Sequence, residues 1–197
     1  MNTLISRFPA IWQLPLITRL RSRPIISLIG VASLLLAIVF GVIALMGGGS
    51  RAAATHEVVN TAGQYRFEVP DGWSTSQQGR TTTVISPDQA TVITLGVSGP
   101  GSLPVAGTVF FQQVARNYRN VQVIPPQAKQ VGPRTALVYG GIGDNEHNVH
   151  IRFLAITIEN KPDNYGIAVF TAANSDPNAV LPSVNRIVDS FRPLPAG

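Results

Sequence analysis

The sequence predicts an α+β protein in which one transmembrane helix precedes an antiparallel β-sheet flanked by helices. Three observations support this class: an uncharged apolar run, a series of short alternating segments separated by turn residues, and two amphipathic helical patterns among them. Strands joined by hairpin-type turns are typical of antiparallel sheets with helices packed on them. We divide the 197-residue chain into a cytoplasmic or interfacial segment (1–23), a transmembrane helix (24–46), a glycine-rich tether (47–56) and an extracytoplasmic domain (57–197).

The apolar run from Pro24 to Met46 contains no charged residue. A hydrocarbon core of about 30 Å needs roughly 20 apolar residues in a helix, so this run is long enough to cross it. Arginine side chains cluster before the run, and only Arg51 stands close after it. The preceding arginines are Arg7, Arg19, Arg21 and Arg23. Because positive charge is retained in the cytoplasm, we expect a single-pass protein of the bacterial inner (plasma) membrane with its domain outside.

Cleavage as a signal peptide is the alternative interpretation of this run. Ala52, Ala53 and Ala54 offer the small residues that a signal peptidase requires. However, the apolar core of a signal peptide is about 7–15 residues long, and this run is longer. The length favours an uncleaved anchor.

Small residues follow one face of the predicted membrane helix at spacings of three and four. They are Gly30, Ser33, Ala37, Gly41 and Ala44. Small side chains let two helices approach closely in lipid, so we expect this face to dock against a larger integral membrane protein or a second copy. The alternative is that these residue types are simply frequent in membrane helices.

The net charge of +5 comes entirely from the five arginines at or before position 51. From Ala52 onward, ten basic residues balance ten acidic ones, so the domain carries no basic surface that indicates a nucleic-acid partner. The chain has no cysteine. This excludes disulfides, thiolate metal sites, a cysteine nucleophile and a lipidated N-terminal cysteine.

Within the domain, alternation of apolar and polar residues predicts eight strands. They cover residues 57–60, 64–69, 82–86, 91–97, 121–124, 135–140, 147–159 and 166–172. One helix is predicted from a Thr108 cap to Tyr118, and a second from Asp176 and Pro177 to Phe191. The glycines at 140–143 are predicted to form a hairpin loop.

The only dense polar cluster runs from Asp144 to His150. His147 and His150 could share a metal on a helix, but on a strand they would point to opposite faces. Asp144 and Glu146 match no complete calcium loop. We therefore favour a solvated turn over a metal site.

No motif for a cofactor or for catalysis is present. Ser98 lacks the full nucleophile-elbow pattern, and His56 adjoins the tether. We expect Trp73 to plug the core beneath the sheet. Phe110 and Phe111 are adjacent on the first helix, so we expect that they cannot both face the same core. We favour simple packing at a sheet edge, and the alternative is that one ring is exposed and contacts a partner.

Two segments carry a resemblance to a known family. Tyr65-Arg66-Phe67-Glu68-Val69-Pro70-Asp71-Gly72-Trp73 resembles the opening signature of PsbP-like domains and of the related DcrB and LpqN-type envelope proteins. The closing stretch, 184–191, is similar to their final helix. The resemblance implies a twisted antiparallel sheet between helices, in a family that includes accessory subunits of photosynthetic electron-transfer membranes. The LpqN type is anchored by a lipidated cysteine, where this chain has the apolar run.

Together these patterns predict a non-catalytic, single-pass accessory protein that associates with a larger membrane complex and stabilises it. The resemblance implies a respiratory or other electron-transfer assembly as the partner. The alternative function is an extracytoplasmic module that binds a lipid or another small ligand of the cell envelope.

Overall fold

The computed structural model describes residues 54–195. Within these residues, no helix has the length and apolar character needed to span a bilayer. The predicted transmembrane helix, its small-residue face and residues 47–53 of the tether lie outside the described residues.

The described chain contains ten strands and two helices. The strands are β1 (Thr55–Asn60), β2 (Tyr65–Pro70), β3 (Ser74–Gln78), β4 (Thr81–Ile85), β5 (Thr91–Pro100), β6 (Arg119–Val131), β7 (Arg134–Asp144), β8 (His150–Ile158), β9 (Asp163–Ala172) and β10 (Arg192–Pro193). Helix α1 spans Leu103–Ala115, and helix α2 spans Pro177–Ser190.

The strands form two antiparallel sheets. The large sheet has seven strands in the order β3-β4-β5-β9-β8-β7-β6, and the small sheet has the order β1-β2-β10. Every neighbouring pair in both sheets is antiparallel. The α+β class with an antiparallel sheet and helices that the sequence predicts is therefore confirmed for the described domain.

Each face of the large sheet is covered by a different layer. Helix α1 packs on one face, over an aromatic cluster that includes Phe110, Tyr139 and Phe153. Helix α2 and the small sheet cover the other face, where Tyr65 and Phe191 join the larger apolar cluster. The central strand β9 is consequently buried on both sides along nearly all of its length.

Helix α2 begins and packs as the sequence predicts. The Asp176 carboxylate accepts a hydrogen bond from the Asn178 backbone N–H at 2.9 Å, and Pro177 occupies the first turn. Its apolar stripe is buried, as expected: Val184, Ile187 and Val188 in the helix, with Phe191 at its end.

Helix α1 begins six residues earlier than predicted, because its N-cap is Ser102 rather than Thr108, and it ends at Ala115 rather than at Tyr118. Pro104 is favourable in the first helical turn, where no backbone donor is needed. Thr108 lies inside the helix, and its hydroxyl donates to the Pro104 carbonyl at 2.9 Å instead of capping.

The predicted glycine loop at 140–143 is wrong, because these residues belong to β7. A Cβ atom on Gly141 would lie 2.5 Å from Cζ of Phe153, so glycine leaves room for an aromatic ring above the strand. Strand β8 accordingly starts at His150 rather than at residue 147, and β9 starts at Asp163 rather than at residue 166.

The sequence prediction missed β3 and β10 and shortened β6. Strand β3 has no apolar residue and therefore no alternation to detect. Strand β6 includes Pro125 and Pro126, which are tolerated because β6 is an edge strand whose pairing with β7 shifts register there.

Candidate docking surface

The buried side of α1 is seated on aromatic rings and glycines. Phe110 is 4% exposed, and a Cβ atom on Gly166 would lie 2.7 Å from its ring. Phe111 is half-buried and stacks on Tyr139 with ring centroids 5.1 Å apart. A Cβ on Gly107 of the helix would meet the Tyr139 ring at 3.2 Å. Glycine at these positions permits the close approach of helix and sheet.

Phe110 and Phe111 pack on the same cluster, and neither is exposed. The aromatic cluster is wide enough for two rings that project about 100° apart around the helix axis. The expectation that the two rings cannot face the same core is therefore wrong. Contact of either ring with a partner stays a prediction.

The outward side of α1 is exposed and uncharged. We call it the α1 outer face: Pro104, Val105, Thr108, Val109 and Gln112. Val105 is 59% exposed and Val109 is 45% exposed, and they lie one turn apart on the same side of the helix. No charged residue occurs from Ser102 to Ala115. The sequence signal for this face was the missing charge, rather than the phenylalanine pair.

The polar cluster around His147 is an ordered turn. The Asn145 carboxamide oxygen accepts from the backbone N–H groups of His147 (3.0 Å) and Val149 (2.9 Å). Arg119 donates to Asn148 Oδ1 at 2.9 Å and closes the turn from outside. These contacts need no ion to hold the turn in place.

The two histidines of this turn each face one carboxylate. His150 pairs with Asp144, and His147 Nε2 lies 3.3 Å from Glu146 Oε1. Among residues 54–195, no group of three His, Cys, Asp or Glu side chains is arranged to hold a metal ion. The geometry supports the solvated-turn interpretation.

The remaining candidate residues have structural surroundings. Ser98 lies in β5 at a register shift, with its hydroxyl buried and without a hydrogen-bond partner. His56 Nδ1 lies 3.5 Å from Asp71 Oδ1 at the surface. Trp73 packs against the larger apolar cluster but is only half-buried, so it does not fill the core as expected.

A buried polar network that the sequence did not reveal joins the small sheet to the large one. The Tyr65 hydroxyl lies within hydrogen-bond distance of Thr82 Oγ1 (2.9 Å) and the Leu95 carbonyl (3.0 Å). Asn60 Nδ2 donates to the Tyr65 hydroxyl at 3.3 Å. Burial raises the pKa of Tyr65 to about 12, against hydrogen bonds that lower it. This network is structural, because its groups are satisfied by one another.

The ring of Tyr118, just after α1, lies against Phe153 with centroids 5.2 Å apart. Burial raises the pKa of Tyr118 well above its ordinary value. Burial also lowers the pKa of Arg152, whose guanidinium donates to the Ser175 carbonyl at 3.1 Å. The neighbouring Asp176 carboxylate opposes the shift at Arg152, so both shifts are effects of packing in the core and at its margin.

Solved structures with the same fold are known, although no protein-family model and no curated protein matches the chain. Cyanobacterial PsbP (CyanoP) from Synechocystis is 17% identical, with a TM-score of 0.54, covering 76% of this chain and 99% of that one. The Ran-binding protein Mog1p from Saccharomyces cerevisiae is 9% identical, with a TM-score of 0.53, covering 73% and 97%. LpqN of Mycobacterium tuberculosis, which is involved in cell envelope biogenesis, is 13% identical, with a TM-score of 0.50, covering 75% and 87%. These similarities establish a shared fold.

Proposed function

We propose that this protein is a non-catalytic accessory protein of the bacterial plasma membrane that docks onto a larger membrane complex and stabilises it. The observation that carries the proposal is the exposed, uncharged α1 outer face. The single-pass anchor, the cytoplasmic N-terminus and the extracytoplasmic domain are parts of the same proposal, and they rest on the sequence.

The α1 outer face has the chemistry of the centre of a protein interface. Charged residues are depleted at interface cores because each must lose its hydration on association. Burying the exposed parts of Val105 and Val109 would contribute about 1–3 kcal/mol in total. That gain is modest, so the domain contact needs a second attachment.

The membrane helix would supply the second attachment through its small-residue face, including Ala37 and Gly41. Two weak contacts joined by a short tether reinforce each other, because the second forms at high effective concentration. The PsbP resemblance supports an electron-transfer assembly, such as a respiratory complex, as the partner.

The test is purification of the tagged full-length protein in mild detergent, with identification of the co-purifying subunits. We expect a stoichiometric membrane complex with the natural sequence, and loss of about ten-fold or more of it with Val105→Lys and Val109→Lys combined. The matched control combines Val59→Lys and Val123→Lys, the other two exposed valines, and should retain the complex.

The outcomes separate the parts of the proposal. Recovery of the natural protein without other subunits would overturn the accessory function. Equal losses in both lysine variants would remove α1 as the docking surface. Replacing Ala37 and Gly41 with leucine should also release the complex, and unchanged recovery would count against helix docking.

A further inference from the structure

The large sheet ends in two edge strands of different character. Strand β6 has the usual protections against strand addition: two register shifts, Pro125 and Pro126 within the strand, and the charges of Arg119 and Lys129. Strand β3 has none of these, because Ser74–Gln78 contains neither charge nor proline and its five pairs with β4 run without a shift. Within the described residues, no strand pairs with its outer side.

Side-chain hydrogen bonds with the small sheet hold strand β3 and the turn after it in place within a single chain. The Gln77 side chain donates to the Val59 carbonyl of β1 at 3.1 Å. The Asn60 side chain of β1 donates to the Gly79 carbonyl, just after β3, at 3.2 Å. A strand that is already ordered loses less conformational entropy when another strand pairs with it.

The charges that flank β3 have opposite signs. Arg80 follows the strand; it is more than half exposed, and its guanidinium lies 3.6 Å from Asp163. Asp71 precedes the strand and is also more than half exposed. When two copies of this strand run antiparallel, the Arg80 end of one lies beside the Asp71 end of the other. The edge is therefore complementary in charge to itself, with uncharged Ser76 at its centre.

We propose that β3 pairs antiparallel with β3 of a second copy of this chain, joining two seven-stranded sheets across a two-fold axis near Ser76. Such an interface uses the same patch on both subunits, as two-fold dimers do. Five residues provide a short interface, and confinement of both copies to one membrane would raise their effective concentration. The experiment therefore uses the full-length protein in membranes.

The absence of cysteine from the sequence makes disulfide trapping specific. Facing Cβ atoms in an antiparallel pair lie about 4.5–5.5 Å apart, close to the separation that a disulfide needs. Single-cysteine variants Thr75→Cys, Ser76→Cys and Gln77→Cys are oxidised in membranes with copper phenanthroline and resolved on a non-reducing gel. The control is Val123→Cys on the other edge strand.

We expect Ser76→Cys to give about ten-fold more cross-linked dimer than Val123→Cys. Equal cross-linking of these two variants, or none at any of the three β3 positions, would overturn the proposal. Because all four positions lie at the surface or edge of the sheet, circular dichroism should show the same fold in each variant.

A charge exchange tests the antiparallel direction. In the Ser76→Cys background, Arg80→Asp places an acid beside Asp71 of the other copy and should lower cross-linking several-fold. Adding Asp71→Arg restores opposite charges and should restore the dimer. Failure of the exchange to restore cross-linking in a folded protein would overturn the pairing. Val105→Lys with Val109→Lys should leave the cross-link unchanged, which separates this dimer from docking by α1.

Discussion

The two helices cover opposite faces of one sheet with different chemistry. Helix α2 is tied down by ion pairs at its outer side: Arg186 Nε lies 2.8 Å from Glu68 Oε2, and Asp189 Oδ1 lies 2.9 Å from Lys129 Nζ. Helix α1 has no charged residue and rests on aromatic rings instead. Helix α2 therefore presents charged, ion-paired side chains to solvent. The α1 outer face instead has two exposed valines without charged neighbours in the helix.

In α1, the side chains buried in the core differ from those on the proposed docking face. In α1 the large side chains, Phe110 and Phe111, serve the core, and the small valines face outward. A helix whose inner side is strongly apolar needs no apolar residue outside for stability. The outer valines are therefore not needed by the core, and they are the residues that the proposed docking would bury.

The largest expected effect comes from removing the aromatic contact between α1 and the large sheet. Phe110→Ala removes a ring that lies against Gly166 and leaves a cavity, so we expect the free energy of unfolding to fall by about 3–5 kcal/mol. Urea unfolding of the purified protein measures this loss. Phe110→Leu is the matched control and should cost less, since it keeps most of the apolar contact. A loss below about 1 kcal/mol for Phe110→Ala would mean that α1 is not seated through this ring.

A smaller effect is expected at Tyr65, on the α2 side of the sheet. Tyr65→Phe removes the hydroxyl between Thr82 and the Leu95 carbonyl and should cost roughly 1–3 kcal/mol at pH 7. The pKa of Tyr65 is about 12 in the folded protein, above its ordinary value of 10.0. The stabilising contribution of the neutral phenol is therefore fully present below pH 10 and is lost as the pH rises through 12.

Unfolding of both proteins at pH 7 and pH 11 tests this sign. The difference in stability between the natural protein and Tyr65→Phe should be smaller at pH 11, because only the natural protein carries this ionisable group. Tyr165→Phe serves as a second buried phenol for comparison: Tyr165 donates to the Gln64 carbonyl at 2.9 Å, and burial raises its pKa too, so its difference should also shrink with pH. A constant difference across this range would contradict the assigned burial of the Tyr65 phenol.

The same contrast explains how far sequence alone could go. Helix α2 was predicted closely because its cap, its proline and its apolar stripe are all local signals, at Asp176, Pro177 and Val184. Strand β3 was missed because a polar edge strand has no buried face to impose alternation. The sequence predicts a loop at Gly141 because its packing partner, Phe153, is on another strand and leaves no local signal.

The candidate surface was located only in part for the same reason. The adjacency of Phe110 and Phe111 draws attention to α1 but does not reveal how wide the aromatic cluster beneath this helix is. The predicted helix, capped by Thr108, excludes Val105, so the sequence does not place Val105 and Val109 on one helical face. In the structure the helix starts at Leu103 and includes both. The width of the aromatic cluster and the start of α1 both depend on tertiary contacts, which sequence periodicity does not encode.

The smallest expected effect concerns the ion pair that holds α2 to β2. Arg186 donates a hydrogen bond to the Glu68 carboxylate and lowers the pKa of Glu68 below its ordinary value of 4.5. Both side chains are more than a third exposed, so solvent screens the pair, and we expect a coupling of only about 0.2–1 kcal/mol. A double-mutant cycle with Glu68→Gln and Arg186→Gln measures it by urea unfolding.

The pH dependence of this coupling has a definite sign. Because the pKa of Glu68 is lowered by folding, its contribution is present above pH 4.5 and is lost as the pH falls through the folded-state value. The coupling should therefore vanish in acid and shrink in about 1 M salt, where the screening length is about 3 Å. A coupling that survives both conditions would show that Glu68 and Arg186 interact by packing rather than by charge. The pair of Lys129 and Asp189 would then be the ion pair that distinguishes α2 from α1.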